Sequence, residues 1–148
     1  MTFFRPGWDS IPTKLWDFYG EYLINTLTTL RPDGRPHVVP VGVTLDPEQG
    51  CAWIITRAGS RKVRNIEAAV AAGEPGALVA ACQFAGPKWS TIEGRARVLT
   101  DQPSVERAIA LYTARYRMPA QNDHTRVAIR IEVDRIVHGP ALVETPSA

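Results

Sequence analysis

In the stretch IITRAGSRKVRN, residues 54–65, an apolar β-branched run passes through Ala-Gly-Ser into a segment with helical spacing. Two basic residues, Arg61 and Lys62, fall in the first turn of the predicted helix, where the partial positive charge of a helix N-terminus disfavours them. A bound anion would remove this repulsion, because the N-terminus of a helix also presents unpaired backbone N–H groups. The stretch therefore predicts a strand, a tight turn and a helix whose N-terminus binds an anion.

The predicted anion site draws on three further residues. Ser60 is the expected N-cap of the helix, and Arg57, at the end of the preceding strand, can reach the same point. Gly59 allows the backbone to approach a ligand closely. Together with the two cations of the first turn, these residues predict a small phosphate cradle. The alternative is a solvated basic helix end that binds no ligand.

One strand away, the segment HVVPVGV, residues 37–43, carries Pro40 and Gly42 two positions apart, hence on the same face. Proline removes a ladder donor and glycine removes a side chain, so this face has little bulk, while the valines between them point inward. A flat ring could lie along such a backbone. The alternative is a β-bulge at a barrel corner. Beside a phosphate cradle, the segment predicts a planar cofactor with a phosphate tail.

The rest of the chain predicts a mainly β fold. Three strands are expected within residues 24–57, and one each at residues 77–84, 88–100 and 126–137, the last two with clear alternation. Three short helices are expected at residues 12–22 with Ser10 as N-cap, from Ser60 to Gly73, and at residues 104–116. Six strands with few, short helices favour a small closed or split β-barrel over a layered α/β fold.

Composition narrows the class of protein. At 148 residues, the chain is expected to form one domain, residues 1–148, with an irregular arm at 1–9 and a flexible tail at 142–148. The net charge of +2 gives no support for nucleic-acid binding, and no apolar run is long enough for a membrane span. Cys51 and Cys82 lie in apolar runs without metal-ligand spacing, which favours reduced thiols and a cytoplasmic location.

Three segments carry a resemblance to a known family: LTTLRPDGRPHVVPVGVTLDP at residues 27–47, IITRAGSRKVRNI at 54–66 and KWSTIEGRARV at 88–98. They resemble the flavin-binding split-barrel proteins of the pyridoxamine 5'-phosphate oxidase-like superfamily. More narrowly, they resemble its actinobacterial deazaflavin-dependent branch, the flavin/deazaflavin oxidoreductases of group B, which includes biliverdin reductases. The resemblance extends from the first helix to the last strand.

The resemblance implies a six-stranded split barrel that forms a homodimer, with two equivalent cofactor grooves at the subunit interface. It implies that the groove binds the deazaflavin coenzyme F(420) or, as the alternative, FMN. It also assigns cofactor-binding residues: the phosphate turn Arg57, Ser60, Arg61 and Lys62, the ring-binding segment Pro40, Val41 and Gly42, and Trp89 from the partner subunit. It identifies no proton donor.

The long strand at residues 88–100 has a polar face with Glu93, Arg95 and Arg97. In a homodimer, these side chains could pair across the two-fold axis. The alternative is that they face water, where ion pairs contribute little.

The chain lacks the residue sets of metal or nucleophile catalysis: its histidines His37, His124 and His138 are scattered, and each is interpreted as an ordinary polar residue. Their scatter favours an enzyme whose cofactor performs the chemistry. We therefore expect hydride transfer from the reduced deazaflavin to a conjugated or unsaturated organic substrate, such as a biliverdin, a quinone or an enone. The alternatives are an FMN-dependent oxidase or reductase and a non-catalytic flavin- or tetrapyrrole-binding protein.

Overall fold

The computed structural model describes residues 2–4, 7–118 and 124–144. Within them, the strands are β1 Thr2–Phe4, β2 Asn25–Leu30, β3 Pro36–Val41, β4 Thr44–Asp46, β5 Cys51–Arg57, β6 Ala77–Ala85, β7 Lys88–Leu99 and β8 Arg126–His138. The helices are α1 Thr13–Gly20, α2 Arg61–Ala71, α3 Gln102–Tyr116 and a short 3-10 helix, Pro140–Leu142. The fold is mainly β with three α-helices, as predicted. No helix in the described part of the chain has both the length and the apolarity needed to span a bilayer.

The strands form one antiparallel sheet in the order β3-β2-β6-β7-β8-β5-β4, and β1 pairs with β8. The two edge strands, β3 and β4, are consecutive in the chain and are linked by Gly42 and Val43. Among the described residues, no ladder joins them, so the sheet curls without closing. The prediction of six strands was too low. The Gly42–Val43 link divides one expected strand into two, and β1 lies in the segment expected to be an irregular arm.

The core fills the space between the sheet and the helices. Its largest buried apolar side chains include Leu15, Phe18, Leu27, Ile54, Ile66, Ile92, Ile129 and Ile131. These positions follow the predicted helical and strand periodicities, because each lies on the apolar face of its element. Burial of that shared face holds α1 and α2 on the sheet.

Several predicted element ends were wrong. Ser10 does not cap α1: its hydroxyl donates to the Gly7 carbonyl oxygen, 2.9 Å away, and α1 begins at Thr13. Tyr22, expected on the apolar stripe, lies beyond the end of α1 and is 58% exposed. The helix α3 begins at Gln102 and not at Ser104 as predicted. Asp101 is its N-cap, because the Asp101 carboxylate accepts a hydrogen bond from the Ser104 N–H.

The predicted flexible tail was also partly wrong. Leu142 is buried, and a Glu144 carboxylate oxygen accepts a hydrogen bond from the Lys14 N–H at 2.6 Å. Residues 145–148 of the predicted tail, and residues 1, 5 and 6 of the predicted arm, lie outside the described residues. The segment up to Glu144 is therefore part of the folded domain.

The polar face of β7 is paired inside the chain. Arg135 donates to Glu93 at 2.6 Å, and Arg95 donates to Asp134 at 2.8 Å. A β-bulge makes both pairs possible: the register of β7 with β8 shifts between Glu93 and Gly94, so Asp134 and Arg135 both reach the same face. Arg97 donates to the Pro75 carbonyl oxygen at 2.8 Å. Because Glu93, Arg95 and Arg97 each have a partner within the chain, they do not need a partner subunit.

Candidate functional site

The predicted strand, turn and helix are all present at residues 54–65. The strand β5 ends at Arg57, and the turn closes through a hydrogen bond from the Ser60 N–H to the Arg57 carbonyl oxygen at 3.4 Å. Gly59 has φ +79°, a left-handed conformation that other residues seldom adopt. The helix α2 then begins at Arg61, and the Arg64 N–H donates to the Ser60 carbonyl oxygen at 3.0 Å. We call residues 57–62 the basic turn.

Ser60 is the N-cap residue of α2, but its side chain does not cap the helix. Its hydroxyl makes no capping hydrogen bond, and the oxygen is buried without a partner among the described residues. A serine at this position usually accepts a hydrogen bond from the first turn of its own helix. Leaving a buried hydroxyl unpaired costs about 1–3 kcal/mol, and a ligand that hydrogen-bonds this hydroxyl would remove that cost.

Among the described residues, the cations of the basic turn also have no acidic partner. Arg57 is exposed, and Arg61 and Lys62 are half-buried. Within the ranges that the structure describes, these three side chains form no ion pair and no hydrogen bond with a carboxylate. Burial lowers the pKa of Lys62, because a partly desolvated ammonium group has no negative charge nearby to stabilise it. An anion at the N-terminus of α2 would supply that charge.

The structure adds two residues that sequence reasoning missed. Arg31 lies in the turn between β2 and β3, and His37 lies on β3 opposite Thr29 of β2. The helix α2 is fixed to this hairpin, since the Asn65 side-chain amide donates to the Thr29 hydroxyl at 3.0 Å. Burial, and then the charges of Arg31 and of the two cations in the first turn of α2, lower the pKa of His37. No spacing in the sequence links this hairpin to the basic turn, so only the tertiary structure could reveal the two residues.

The segment predicted to lie along a ring has two different faces. Pro40 is exposed on the edge strand, whereas Val41 is buried in the core. Gly42 is not open: a Cβ atom there would lie 2.8 Å from a ring carbon of Tyr112 and 2.8 Å from one of Tyr116. A side chain at position 42 would therefore have to displace the rings with which α3 packs against the sheet edge. We expect valine at position 42 to disturb this packing, because its side chain would meet the same two rings.

The C-terminal turn of α3 fixes the link between β3 and β4. The Tyr116 hydroxyl accepts a hydrogen bond from the Val43 N–H at 3.2 Å and donates to the Leu23 carbonyl oxygen at 2.8 Å. The Tyr112 and Tyr116 rings lie in contact, with centroids 4.9 Å apart, over Gly42. We call Tyr112, Arg115 and Tyr116 the α3 clamp.

Arg115 is the buried cation of the α3 clamp. Its guanidinium donates to the Glu21 carbonyl oxygen at 3.1 Å, to the Gln83 side-chain oxygen at 2.9 Å and to the Val43 carbonyl oxygen. Its carbon Cζ also lies 5.0 Å from the centre of the Tyr116 ring. Burial lowers the pKa of Arg115, but each guanidinium nitrogen has a partner. The clamp therefore connects the end of α1, the β3–β4 link and β6.

Trp89 lies at the N-terminal end of β7, where it pairs with Phe84 and packs on Gly139. The other end of β7, at Leu99, pairs with Ala128 next to the strand ends that lead into the basic turn. A strand rises roughly 3.3 Å per residue, so the two ends of β7 are about 30 Å apart. Within one chain, Trp89 is therefore not part of the same cluster as the basic turn.

Comparison with known proteins agrees with this architecture. A family model described as pyridoxamine 5'-phosphate oxidase matches residues 11–138. An F(420)H(2)-dependent biliverdin reductase of Mycobacterium tuberculosis (strain CDC 1551 / Oshkosh) is 37% identical over 127 residues, which cover 86% of this chain and 87% of that protein.

Two solved structures share the fold. A conserved hypothetical protein of Mycobacterium tuberculosis has a TM-score of 0.69 at 22% identity, covering 87% of this chain and 84% of that one. An F(420) reductase has a TM-score of 0.63 at 20% identity, covering 82% and 94%. The predicted mainly β fold class and the resemblance to the pyridoxamine 5'-phosphate oxidase-like superfamily are confirmed, whereas the expected homodimer stays a prediction.

Proposed function

The chain belongs to the pyridoxamine 5'-phosphate oxidase family, and we propose that it is an oxidoreductase that uses the deazaflavin coenzyme F(420). It would transfer a hydride from the reduced coenzyme to a conjugated or unsaturated organic substrate. The relative that is 37% identical is named for the same coenzyme and for biliverdin. In this chain, the observation that carries the proposal is the set of unpaired polar groups at the basic turn.

The residues of the basic turn fit a phosphate group. The free N–H groups at the start of α2 and the unpartnered Ser60 hydroxyl can donate to phosphate oxygens. The side chains of Arg57, Arg61 and Lys62 supply positive charge without a competing carboxylate among the described residues. We propose that these four residues hold the phosphate of the coenzyme.

The ring would lie toward the exposed face of β3. Pro40, Val41 and Gly42 are proposed to border it through their backbone, and Trp89 is proposed to approach it from a second copy of the chain. When bound, a reduced deazaflavin supplies a hydride, because carbon stands where a flavin has its reactive nitrogen. The chain itself contributes binding, orientation and exclusion of water; we assign no side chain as proton donor.

We also propose a homodimer, because one face of the sheet exposes large apolar side chains on neighbouring strands. Leu30 is 46% exposed, Val38 56%, Phe84 66% and Leu78 67%. Thr28 of β2 pairs with Val38 of β3 and with Ala80 of β6. Leu30, Leu78 and Phe84 lie an even number of positions from these paired residues on their own strands, so all four apolar side chains lie on one face. Several large exposed apolar side chains on one sheet face are typical of an interaction site, and a second copy of the chain would cover them. This face also contains Trp89.

The test of the homodimer is its mass in solution. Light scattering should report twice the 16.3 kDa of one chain. Leu78→Lys should shift the protein toward the monomer, whereas Trp16→Lys, which changes an exposed apolar residue on α1, should not. A wild-type monomer at micromolar concentration would rule the proposal out.

We further propose that residues 1–148 act as one cofactor-binding domain in the cytoplasm. Cys51 and Cys82 are free thiols, which suits a reducing compartment. Burial raises the pKa of Cys51 to about 12, so this thiol stays protonated and unreactive. A reactive-thiol assay on the folded protein should therefore leave Cys51 unlabelled.

The central test is a titration with F(420) and with FMN, followed through the fluorescence of the four tryptophans. We expect F(420) to bind more tightly, and reduced F(420) to be oxidised only when biliverdin, a quinone or an enone is added. Preference for FMN would favour the alternative oxidase or reductase. Binding without turnover on this panel would favour a non-catalytic binding protein. Absence of binding to either coenzyme would overturn the proposal.

A further inference from the structure

We propose that His37 is an additional ligand of the coenzyme's phosphate and that it takes up a proton when the phosphate binds. The inference rests on the proposed function, since it concerns the same site. It makes coenzyme affinity depend on pH through one identified side chain.

The geometry brings His37 to the basic turn from a separate element. His37 pairs with Thr29 across the β2–β3 hairpin, and Thr29 accepts the hydrogen bond from Asn65 of α2. The Nδ1 atom of His37 is buried and has no partner among the described residues, and the same is true of the Ser60 hydroxyl. Buried polar atoms are nearly always hydrogen-bonded, so two unpaired atoms on adjacent elements indicate a shared partner that is not part of the chain.

The comparison with His138 separates this arrangement from a structural histidine. His138 is a buried residue, whereas His37 is partly exposed and buries its Nδ1 atom. The Nδ1 atom of His138 lies 3.2 Å from the Gly139 carbonyl oxygen. A histidine that serves the fold thus has a partner within the chain. The Nδ1 atom of His37 has no such partner in the part of the chain that the structure describes.

The charges around His37 are of one sign. Arg31 acts on it from the turn after β2, and Arg61 and Lys62 act on it from α2. No carboxylate of the described residues is among the groups that act on the ring. Burial and then these cations lower the pKa of His37, so the imidazole is neutral near pH 7 in the free protein.

A bound phosphate would reverse the effect of these cations on the pKa of His37. Its negative charge offsets the three cations and stabilises the imidazolium, so the pKa of His37 rises on binding. The complex then holds more protons than the free protein. Affinity therefore increases as the pH falls through the window between the two pKa values, and decreases as the pH rises.

The test compares the pH dependence of coenzyme affinity in wild type and His37→Gln, which keeps a polar side chain but cannot titrate. We expect the wild-type dissociation constant to rise by up to about tenfold per pH unit within the window, as one proton requires. His37→Gln should lose this dependence, and His124→Gln, the matched control, should keep it. Calorimetry in two buffers of different ionisation heat should show proton uptake in wild type but not in His37→Gln. Equal pH dependence in wild type and His37→Gln would overturn the inference.

A second measurement separates the inference from the proposed function. Inorganic pyrophosphate added to the protein should raise the pKa of His37, observed by NMR of the imidazole ring. If this shift occurs and neither F(420) nor FMN binds, the anion site stands and the proposed function fails. If pyrophosphate or coenzyme binds and the His37 resonance titrates unchanged, the inference fails and the proposed function stands.

Discussion

At the N-terminus of α2 and at the C-terminus of α3, positively charged side chains lie near the two ends of β3. In the α3 clamp, each nitrogen of the Arg115 guanidinium donates to an acceptor of the same chain. In the basic turn, Arg61 and Lys62 have no hydrogen-bond acceptor in the part of the chain that is described, and the Ser60 hydroxyl is unpaired. Burial lowers the pKa of both Arg115 and Lys62, so desolvation alone does not distinguish the two regions.

The α3 clamp and the basic turn differ in whether their polar groups have hydrogen-bond partners within the described part of the chain. A cluster that satisfies itself stabilises the fold, and replacing it should change stability. A cluster that leaves donors unpaired adds nothing to the free protein and should stabilise only the complex. Asn25 is an exception near the clamp. Its amide donates to Gln83, but its side-chain oxygen is buried and has no partner in the ranges that the structure describes. The two regions therefore predict opposite effects of matched substitutions.

The largest effect is expected at Arg115. Arg115→Met should lower the free energy of unfolding by about 2–4 kcal/mol. The lost hydrogen bonds of a charged group contribute about 1.5–3 kcal/mol each, and part of this loss is offset because Met avoids the desolvation of a buried cation. Urea unfolding without coenzyme measures this change. Arg61→Met, the matched control, should leave the unfolding free energy unchanged or slightly higher. Equal destabilisation by both substitutions would end the distinction between the two regions.

Lys62→Ala should affect the complex and not the free protein. Loss of a charge-assisted hydrogen bond to phosphate, about 1.5–3 kcal/mol, should weaken coenzyme affinity roughly tenfold to a hundredfold. The loss should shrink at high salt, because screening already weakens the wild-type contact. Fluorescence titration gives the affinity and thermal melting gives the apo stability. A lower apo melting temperature with unchanged affinity would assign Lys62 to the fold.

Gly42→Ala tests the contact between the α3 clamp and the β3–β4 link. The new Cβ atom would lie 2.8 Å from each of two tyrosine rings, and overpacking of this kind costs about 1–3 kcal/mol. Gly20→Ala is the matched control, since nothing lies within 4 Å of a Cβ there. Unfolding in urea should separate the two variants. If Gly42→Ala is as stable as Gly20→Ala, the rings can move away and the clamp is loose.

The smallest effect is expected at the two helix caps. Ser60→Ala should leave apo stability unchanged or raise it, because it removes an unpaired buried hydroxyl. It should weaken coenzyme binding by about twofold to twelvefold, the equivalent of a neutral hydrogen bond of about 0.5–1.5 kcal/mol. Asp101→Ala should instead lower the melting temperature, because its side chain caps α3. Hydrogen bonds from Ser104 lower the pKa of Asp101. The Asp101 effect should therefore be full above about pH 4 and vanish as the pH falls through that lowered pKa. A loss of apo stability in Ser60→Ala would show that the hydroxyl does cap α2.

The sequence predicted the elements whose signals are local. The alternation of apolar and polar residues predicted β7 and most of β8, and Gly59 with Ser60 predicted the start of α2. Both signals depend only on residues that are neighbours in the chain. It did not predict β1 or the break at Gly42, which depend on pairing with β8 and packing against α3. The strict alternation expected for β8 also fails at the bulge.

In the candidate site too, residues that are close in sequence could be predicted, and residues that meet only in the folded chain could not. The basic turn could be predicted because its four residues are close in sequence. His37 and the α3 clamp could not, because each acts across a contact between distant segments: a hairpin against α2, and α3 against the β3–β4 link. The cofactor-binding roles of all the residues expected from the sequence stay predictions: Pro40, Val41, Gly42, Arg57, Ser60, Arg61, Lys62 and Trp89.

The position of β8 in the sheet has a consequence for synthesis of the chain. β8 lies between β7 and β5, and it is the last strand in sequence. As the chain leaves the ribosome, β2, β3, β6 and β7 can pair with one another, but the β4–β5 hairpin has no strand beside it until residues 126–138 follow. During this interval, β5 and β7 each present an unpaired edge, the kind of surface on which chains aggregate. Ribosomes that stall within α3 should therefore yield insoluble nascent chains, and those that stall well after β8 should yield folded ones.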